Sequence, residues 1–403
     1  MSACAANPYR DRVPCSLYLH LAFCRHRCRY CSFLSRVMDP AERHAYVTAL
    51  CSEIRALERL VPAVLPLVTL YFGGGTPSLM TADEAAQIIA TVEEVFGLDP
   101  GAEITLEVNP GDTAAEKIRD FARVGVTRLS VGLQAAQDRH LAYAGRDHTV
   151  ADYHRVMEAA GRAGFASLSS DILYGLPQQT PEEVAATVEL ALAAGSTHLS
   201  FYSLTIDPGT AFERLERAGR LAALPDEDTE REMYAVCLDL ARAAGLRRYE
   251  LSNAALPGHE GRHNLVYWRG EPYWAAGAGA SSYLGGVRRR TISGIRHWME
   301  HWLSPGADWT TELWEEEEAV DLADAMREFF WLGLRLAEGV GRERFRRLFG
   351  QPLPVALERS AAGLVAEGLL ESAGTDGWRL TRPALDIANV VFRRFLLTEF
   401  DIH

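Results

Sequence analysis

The sequence predicts an α/β protein: a partial, TIM-like (β/α) barrel of about six units, followed by a smaller, mostly helical C-terminal domain. Three observations carry that expectation. Between residues 16 and 252, short β-rich apolar runs alternate with helical stretches; the helices carry start and stop signals at fixed offsets; and past residue 310 the alternation ends.

The expected strands are 17–21, 68–72, 103–108, 127–131, 168–173, 198–203 and 248–251, several of them the continuous apolar runs that parallel sheets bury on both faces. Thr81 with Glu84, and Thr180 with Glu183, have capping-box spacing, and Pro181 falls in a first turn, where its missing N–H is an orphan anyway. Gly125, Gly164, Gly195 and Gly245 each close a helical stretch before a strand, where a left-handed residue ends a helix without steric cost. In such a barrel, chemistry belongs at the C-terminal ends of the strands.

The expected organisation is an N-terminal segment over 1–16, the barrel and its extension over 17–305, and the C-terminal domain over 306–403. In the last of these, the run Glu315 to Glu318 after Trp314 reads as the solvated first turn of a helix over 321–336, favoured by the helix dipole. A second helix is expected near 341–350, and 363–380 reads as a helix followed by a small hairpin, as in a winged-helix-like module.

With 48% hydrophobic and 24% charged residues the chain can bury a large core. Its 41 Lys+Arg against 54 Asp+Glu give a net charge of −13, which argues against a general nucleic-acid or anionic-membrane binder. No 18-residue apolar run and no signal-peptide pattern is visible, so no integral membrane segment and a cytoplasmic location are expected. In a reducing compartment, clustered cysteines are metal ligands or catalytic groups more often than disulfides.

Three of the seven cysteines, Cys24, Cys28 and Cys31, fall in the eight residues CRHRCRYC, directly after the first expected strand; Cys4, Cys15, Cys51 and Cys237 are scattered singly. A zinc site would need His20 or His26 as a fourth ligand. Alternatively, three thiolates on a four-iron cluster leave one iron open to bind a small molecule directly. A second strand end carries Phe72-Gly73-Gly74-Gly75-Thr76-Pro77, where residues without a Cβ let the backbone approach a ligand closely. Further strand ends carry Glu107 (LEVNP), Gln134 (VGLQ), Arg146 (AGRDH) and Asp171 (SSDILYGLP), polar groups that must hydrogen-bond something at the rim.

The cysteine loop at the end of the first strand resembles that of the radical S-adenosylmethionine (SAM) superfamily. The resemblance implies a [4Fe–4S] cluster on Cys24, Cys28 and Cys31. It also implies S-adenosyl-L-methionine chelated through its amino and carboxylate groups by the open iron, and a scaffold capable of reductive cleavage of that molecule. LEVNP, DILYGLPQQTPEE and the spacing from Gln134 through Arg146 to Asp171 are similar to the coproporphyrinogen-dehydrogenase-like branch of that superfamily, and the likeness spans nearly the whole chain. Carried over position by position, it places Tyr18, Tyr30, Gly74, Gly75, Thr76, Glu107, Gln134, Arg146 and Asp171 around S-adenosylmethionine.

Within the branch, the chain looks like the HemW-type heme chaperones, which carry CxxxCxYCxF and HNxxYW; here these are Cys24 to Phe33 and His263-Asn264-Leu265-Val266-Tyr267-Trp268. The resemblance implies heme held near His263, Asn264, Tyr267 and Trp268, heme delivery to acceptor hemoproteins as the main role, a reductant such as flavodoxin or ferredoxin, and a homodimer. Histidine is a common axial heme ligand and aromatic rings offer flat apolar surface, although a histidine capping two aromatic core residues would look the same. Ser32 and Ser281 stand where relatives often have Asp and His. Two alternatives remain: a radical methyltransferase of class C type acting on a small molecule, and an oxygen-independent coproporphyrinogen III oxidase. Against the latter, Phe33 replaces a cysteine and only 23 residues precede Cys24.

Overall fold

A computed structural model describes residues 12–60 and 65–400; Cys4 and most of the 1–16 segment lie outside the described residues. Six strands run parallel and side by side in chain order: β1 (Ser16–Leu21), β2 (Leu67–Gly74), β3 (Leu98–Val108), β4 (Arg128–Gln134), β5 (Ser167–Tyr174) and β6 (His198–Ser203). Each overlaps an expected strand. Helices connect successive strands: α1 (Pro40–Leu57), α2 (Ala82–Val95), α3 (Ala115–Arg123), α4 (Asp138–Ala144) with α5 (Val150–Ala163), and α6 (Pro181–Ala193). Winding always in one direction places every loop after a strand at one end of the sheet.

The helix signals act as expected. The side chains of Thr81 and Thr180 accept from the backbones of Glu84 and Glu183, with both reciprocal bonds made. Gly125, Gly164, Gly195 and Gly245 all take positive φ, between 85° and 103°. Every residue of β4 is buried, as a central parallel strand requires.

The seventh expected strand differs in direction. After α7 (Ala211–Arg217) and α8 (Glu227–Ala243), β7 (Arg247–Glu250) folds back on β8 (Asn253–Ala255), which lies antiparallel to β6. Only two residues separate β7 from β8, too few for a parallel crossover. Past α9 (Arg262–Trp268), β9 (Trp274–Ala276) joins β1 at the other edge. Among the described residues these nine strands form one sheet with β7 and β9 at its edges, so the barrel is open between them.

The glutamate run corrects an expectation. Rather than opening a helix, it lies in a strand, β12 (Trp314–Ala319), at the edge of a small sheet with β10 (Ser281–Leu284) and β11 (Val287–Thr291). Arg288, Arg289 and Arg290 stand opposite Glu318, Glu317 and Glu316, and this cross-strand pairing of opposite charge outweighs the dipole preference of an isolated acidic run. A helix, α10 (Ile295–Trp302), lies in the intervening chain.

A second hydrophobic core begins at Leu322 and includes Phe329, Phe330, Phe345, Leu364, Trp378 and Phe395. It is built from α11 (Leu322–Gly333), α12 (Arg342–Phe349), α13 (Val355–Ala366) and α14 (Ala388–Leu396), with a three-stranded sheet of β13 (Val340–Gly341), β14 (Leu370–Ala373) and β15 (Gly377–Leu380). The expected helix-then-hairpin over 363–380 is α13 followed by β14 and β15.

Candidate functional site

The loops after β1 to β6 surround a cavity of about 450 Å³, lined by all three clustered cysteines together with Gly74, Gly75, Thr76, Glu107, Gln134, Arg146, Asp171 and Tyr30. Residues as far apart in the chain as Cys24 and Asp171 thus meet at one end of the sheet, where the strand order predicts a site.

The glycine-rich segment is stitched to the cysteine segment by backbone bonds. The Gly75 N–H donates to Leu21 O at 2.9 Å and the Thr76 N–H to Phe23 O at 2.7 Å, and the Thr76 hydroxyl reaches Cys24 Sγ at 3.4 Å. A Cβ on Gly75 would fall on the Phe23 carbonyl oxygen, so glycine is required there by the approach of the two chains. Gly74 has φ +105° and packs against the His20 ring.

Arg146 is the hub of the opposite wall. Its guanidinium donates to Asn109 Oδ1 at 2.9 Å, to Gly132 O at 3.4 Å, to His148 Nδ1 at 3.3 Å and toward Cys28 Sγ at 3.6 Å. Burial raises the Cys28 thiol, but His26 and the Arg146 charge outweigh it and hold the group below the ordinary thiol range; burial pushes Cys31 up to about 11 and also raises Cys24. Arginines act on all three sulfurs, Arg146 on Cys24 and Cys28 and Arg27 on Cys31, but only at Cys28 do the positive groups outweigh burial.

Asn109 was not singled out in its own right from the sequence, although it stands inside LEVNP. Its backbone N–H donates to Ser78 Oγ at 3.1 Å and its amide to Asp147 Oδ1 at 3.0 Å, while Lys117, the single lysine of the chain, donates to Ser78 O. Asn109 thus ties the glycine-rich, LEVNP and AGRDH loops together.

Two carboxylates face the cavity. Glu107 accepts from the Tyr71 hydroxyl at 2.9 Å, and burial together with the nearby Asp171 charge pushes it up to about 8. Asp171 accepts from Ser130 Oγ at 2.9 Å and is also raised by burial. Gln134 adopts φ +67°, a strained conformation for a residue with a side chain, at a bulge in the ladder between β4 and β5. Tyr18 sits one ring back from the wall, stacked on Tyr71 at 6.0 Å, with its hydroxyl on His20 Nδ1 at 3.1 Å.

The HNLVYW residues form α9 and lie on the far side of Tyr71 from the thiols. His263 is buried: Nδ1 pairs with the Thr69 hydroxyl and Nε2 with the Tyr267 hydroxyl, both at 2.8 Å, and burial lowers it to about 3. Its ring stacks on Tyr71 at 5.2 Å. Asn264 lines a second, 20 Å³ cavity with His263, and Tyr71 borders both cavities. Trp268 is half-buried beneath the Arg335 guanidinium, 4.2 Å from the ring centre.

Of the candidate zinc ligands, His20 binds Tyr18 and Leu34 O, away from the thiols; His26 lines the cavity beside Cys28 but also binds Gly145 O at 2.9 Å and faces Asp147 at 3.4 Å. Among the described residues, no three His, Cys, Asp or Glu side chains converge on a single-ion position.

Six parallel strands wound one way, with a three-cysteine loop after the first, define the class: residues 18–191 match the family model of the radical SAM superfamily, and residues 320–387 that of the HemN C-terminal domain. The fold is that of coproporphyrinogen III oxidase (HemN) from Escherichia coli, with a TM-score of 0.80 at 20% identity, covering 96% of this chain and 90% of that one. End to end, the chain is similar to the heme chaperone HemW of Lactococcus lactis, 34% identical and covering 96% of this chain and 99% of that protein. It is likewise similar to that of Bacillus subtilis, 33% identical over 94% and 99%. The chain belongs to the HemW family.

That family implies a [4Fe–4S] cluster and S-adenosylmethionine. The residues present fit both: three thiols open into one cavity, a glycine backbone approaches them closely, and polar groups of both signs line the remaining wall.

Proposed function

We propose that the protein is a heme chaperone that binds heme and passes it to acceptor hemoproteins. In this proposal Cys24, Cys28 and Cys31 hold a [4Fe–4S] cluster and the adjoining cavity holds S-adenosylmethionine. The observation that supports it most is the juxtaposition of an HNxxYW helix with a three-thiol cavity across the single ring of Tyr71, in a chain similar over its full length to HemW proteins.

When bound, the cluster and S-adenosylmethionine supply one-electron chemistry. The chain's own residues bind and orient. Arg146 suits a carboxylate, Glu107 and Asp171 suit an amine or ribose hydroxyls, and the glycine-rich backbone allows close approach. Tyr30 closes the wall against Leu141, Ala144 and Leu173. On the heme side, Trp268 would offer flat surface once Arg335 leaves its face and Tyr267 once it parts from His263 and Tyr273, with Asn264 a polar contact. For His263 to coordinate iron it must give up the Tyr267 or the Thr69 hydroxyl. A cytoplasmic location, a flavodoxin or ferredoxin reductant and a homodimer belong to the same proposal; among the described residues, no helix is long and apolar enough to cross a membrane.

The test is an anaerobic hemin titration of the cluster-reconstituted protein, followed in the Soret region. Saturable binding that weakens in His263→Ala supports the chaperone. Absence of a Soret change, with methylated product formed from S-adenosylmethionine, would instead point to a methyltransferase. Cys28→Ala should lose the iron–sulfur absorbance; retention of it would defeat the ligand assignment.

A further inference from the structure

Helix α9 is gripped at both ends. At its start the Glu103 carboxylate accepts the Arg262 and His263 N–H groups, each at 3.1 Å, and the Arg262 side chain donates to Gly101 O at 2.7 Å. At its end the grip comes from the C-terminal core. Arg335, two residues past α11, lies over Trp268; Arg344 donates to Arg269 O at 3.4 Å; and Glu338 stands 3.6 Å from Arg269. Beside them the Ala337 N–H donates to Tyr249 O of β7 at 2.9 Å. Held this way, α9 keeps both His263 ring nitrogens occupied.

The seam around this second grip is poorly satisfied. Arg335 Nε, Arg248 Nη1, Glu250 Oε2 and Trp268 Nε1 are buried without a hydrogen-bond partner, and Arg335 and Arg248 share Glu250 and Tyr234 as charged or polar neighbours without pairing to either. Such groups regain hydrogen bonds with water when a seam parts, which lowers the cost of opening here relative to the saturated sheet. Among the attractions across it, the Arg335–Trp268 contact is the one that bears directly on the end of α9 through a side-chain ring, alongside the Ala337–Tyr249 backbone bond and the Arg382–Asp239 ion pair at 2.8 Å elsewhere on the seam.

We propose that Arg335 is a positioning residue: it latches α9 in the conformation that withdraws His263 from ligands, so that the C-terminal domain sets the fraction of molecules able to take up heme. The proposal rests on the heme-chaperone reading above. When only a fraction of molecules is competent, apparent affinity falls by that fraction, and loosening the latch restores it.

The test uses the full-length, cluster-reconstituted protein with Arg335→Leu and Arg335→Lys, reading amide hydrogen exchange over residues 262–268 and hemin affinity by Soret titration. The expected result for Arg335→Leu is about fivefold faster exchange in that segment and about fivefold tighter hemin binding, the ratio matching loss of a partly buried cation–π contact. Arg335→Lys, which keeps a cation and guards against a folding failure of the leucine variant, should fall between. Unchanged exchange at 262–268, or faster exchange with unchanged or weaker hemin binding, overturns the latch. Failure of the unaltered protein to take up hemin overturns the heme reading instead, and the exchange data then report only how Arg335 holds α9.

Discussion

Glu53, on the inner face of α1, is wholly buried; it accepts the Gly277 N–H at 2.6 Å, and burial pushes its carboxyl up to about 8. The folded chain therefore keeps this proton at neutral pH while the unfolded chain releases it near 4.5. A carboxyl raised on folding favours the native state below the unfolded value, and that advantage is lost as pH rises through the folded value. Glu53→Gln cannot ionise, so its stability relative to the unaltered protein should improve by about 2–3 kcal/mol between pH 5 and pH 8, as read by urea denaturation at the two pH values. At the rim, Asn109→Ala would release Arg146 on one side. Binding of S-adenosylmethionine, measured by equilibrium dialysis, should weaken about tenfold with the cluster absorbance intact. Glu107, Gln134 and Asp171 were legible because each lies on or at the end of a recognisable strand, and Cys24, Cys28 and Cys31 because they cluster just after one; Arg146, expected at a strand end, stands instead between α4 and α5. Asn109 was not legible, because its importance lies in partners 31 and 37 residues away in the chain. Nor was the burial of His263, which depends on Thr69, 194 residues distant.

Among the elements, the strand–helix alternation could be read because continuous apolar runs and capping boxes act locally. The direction of β7 could not, since an apolar run says nothing about whether the chain crosses over or turns back. The arginine–glutamate ladder is the instructive case. RRR and EEEE are each ambiguous, and only their antiparallel pairing makes both strands. Glu317, bonded to Arg289 Nε at 2.7 Å and half-exposed, is a suitable probe. Glu317→Lys should destabilise the protein by about 0.5–1 kcal/mol in low salt, less in high salt, and adding Arg289→Glu should recover much of the loss. A denaturation series at two salt concentrations reads both effects.

For the whole molecule, the one-way winding and the separate C-terminal core followed from the change of pattern along the chain, whereas the clasp of that core on α9 involves single contacts invisible to periodicity. Protonation exposes a global property. His20, His148, His198 and His263 are all buried and held below their ordinary value by desolvation, His148 to about 4 and His263 to about 3. A histidine lowered on folding contributes stability above the unfolded value of 6.5, and that contribution is lost as pH falls toward the folded value. The denaturation midpoint should therefore drop between pH 6.5 and pH 4.5, against the opposite trend of Glu53 and Glu107. His198→Asn, which removes a ring held by Ser169 at 2.8 Å and Tyr249 at 2.9 Å, should flatten that slope even as it lowers stability at pH 7. An undiminished slope in the variant would count against the assignment.

Lys117 leaves one further consequence. Every other basic side chain of the chain is an arginine or a histidine, so a reagent selective for primary side-chain amines has a single target, and that target rests against the carbonyl of Ser78 at the foot of the glycine-rich loop. With the N-terminal α-amine blocked, a fluorophore attached there would be one label at one place, turning the loop beside the thiols into a built-in optical gauge of whether anything has entered.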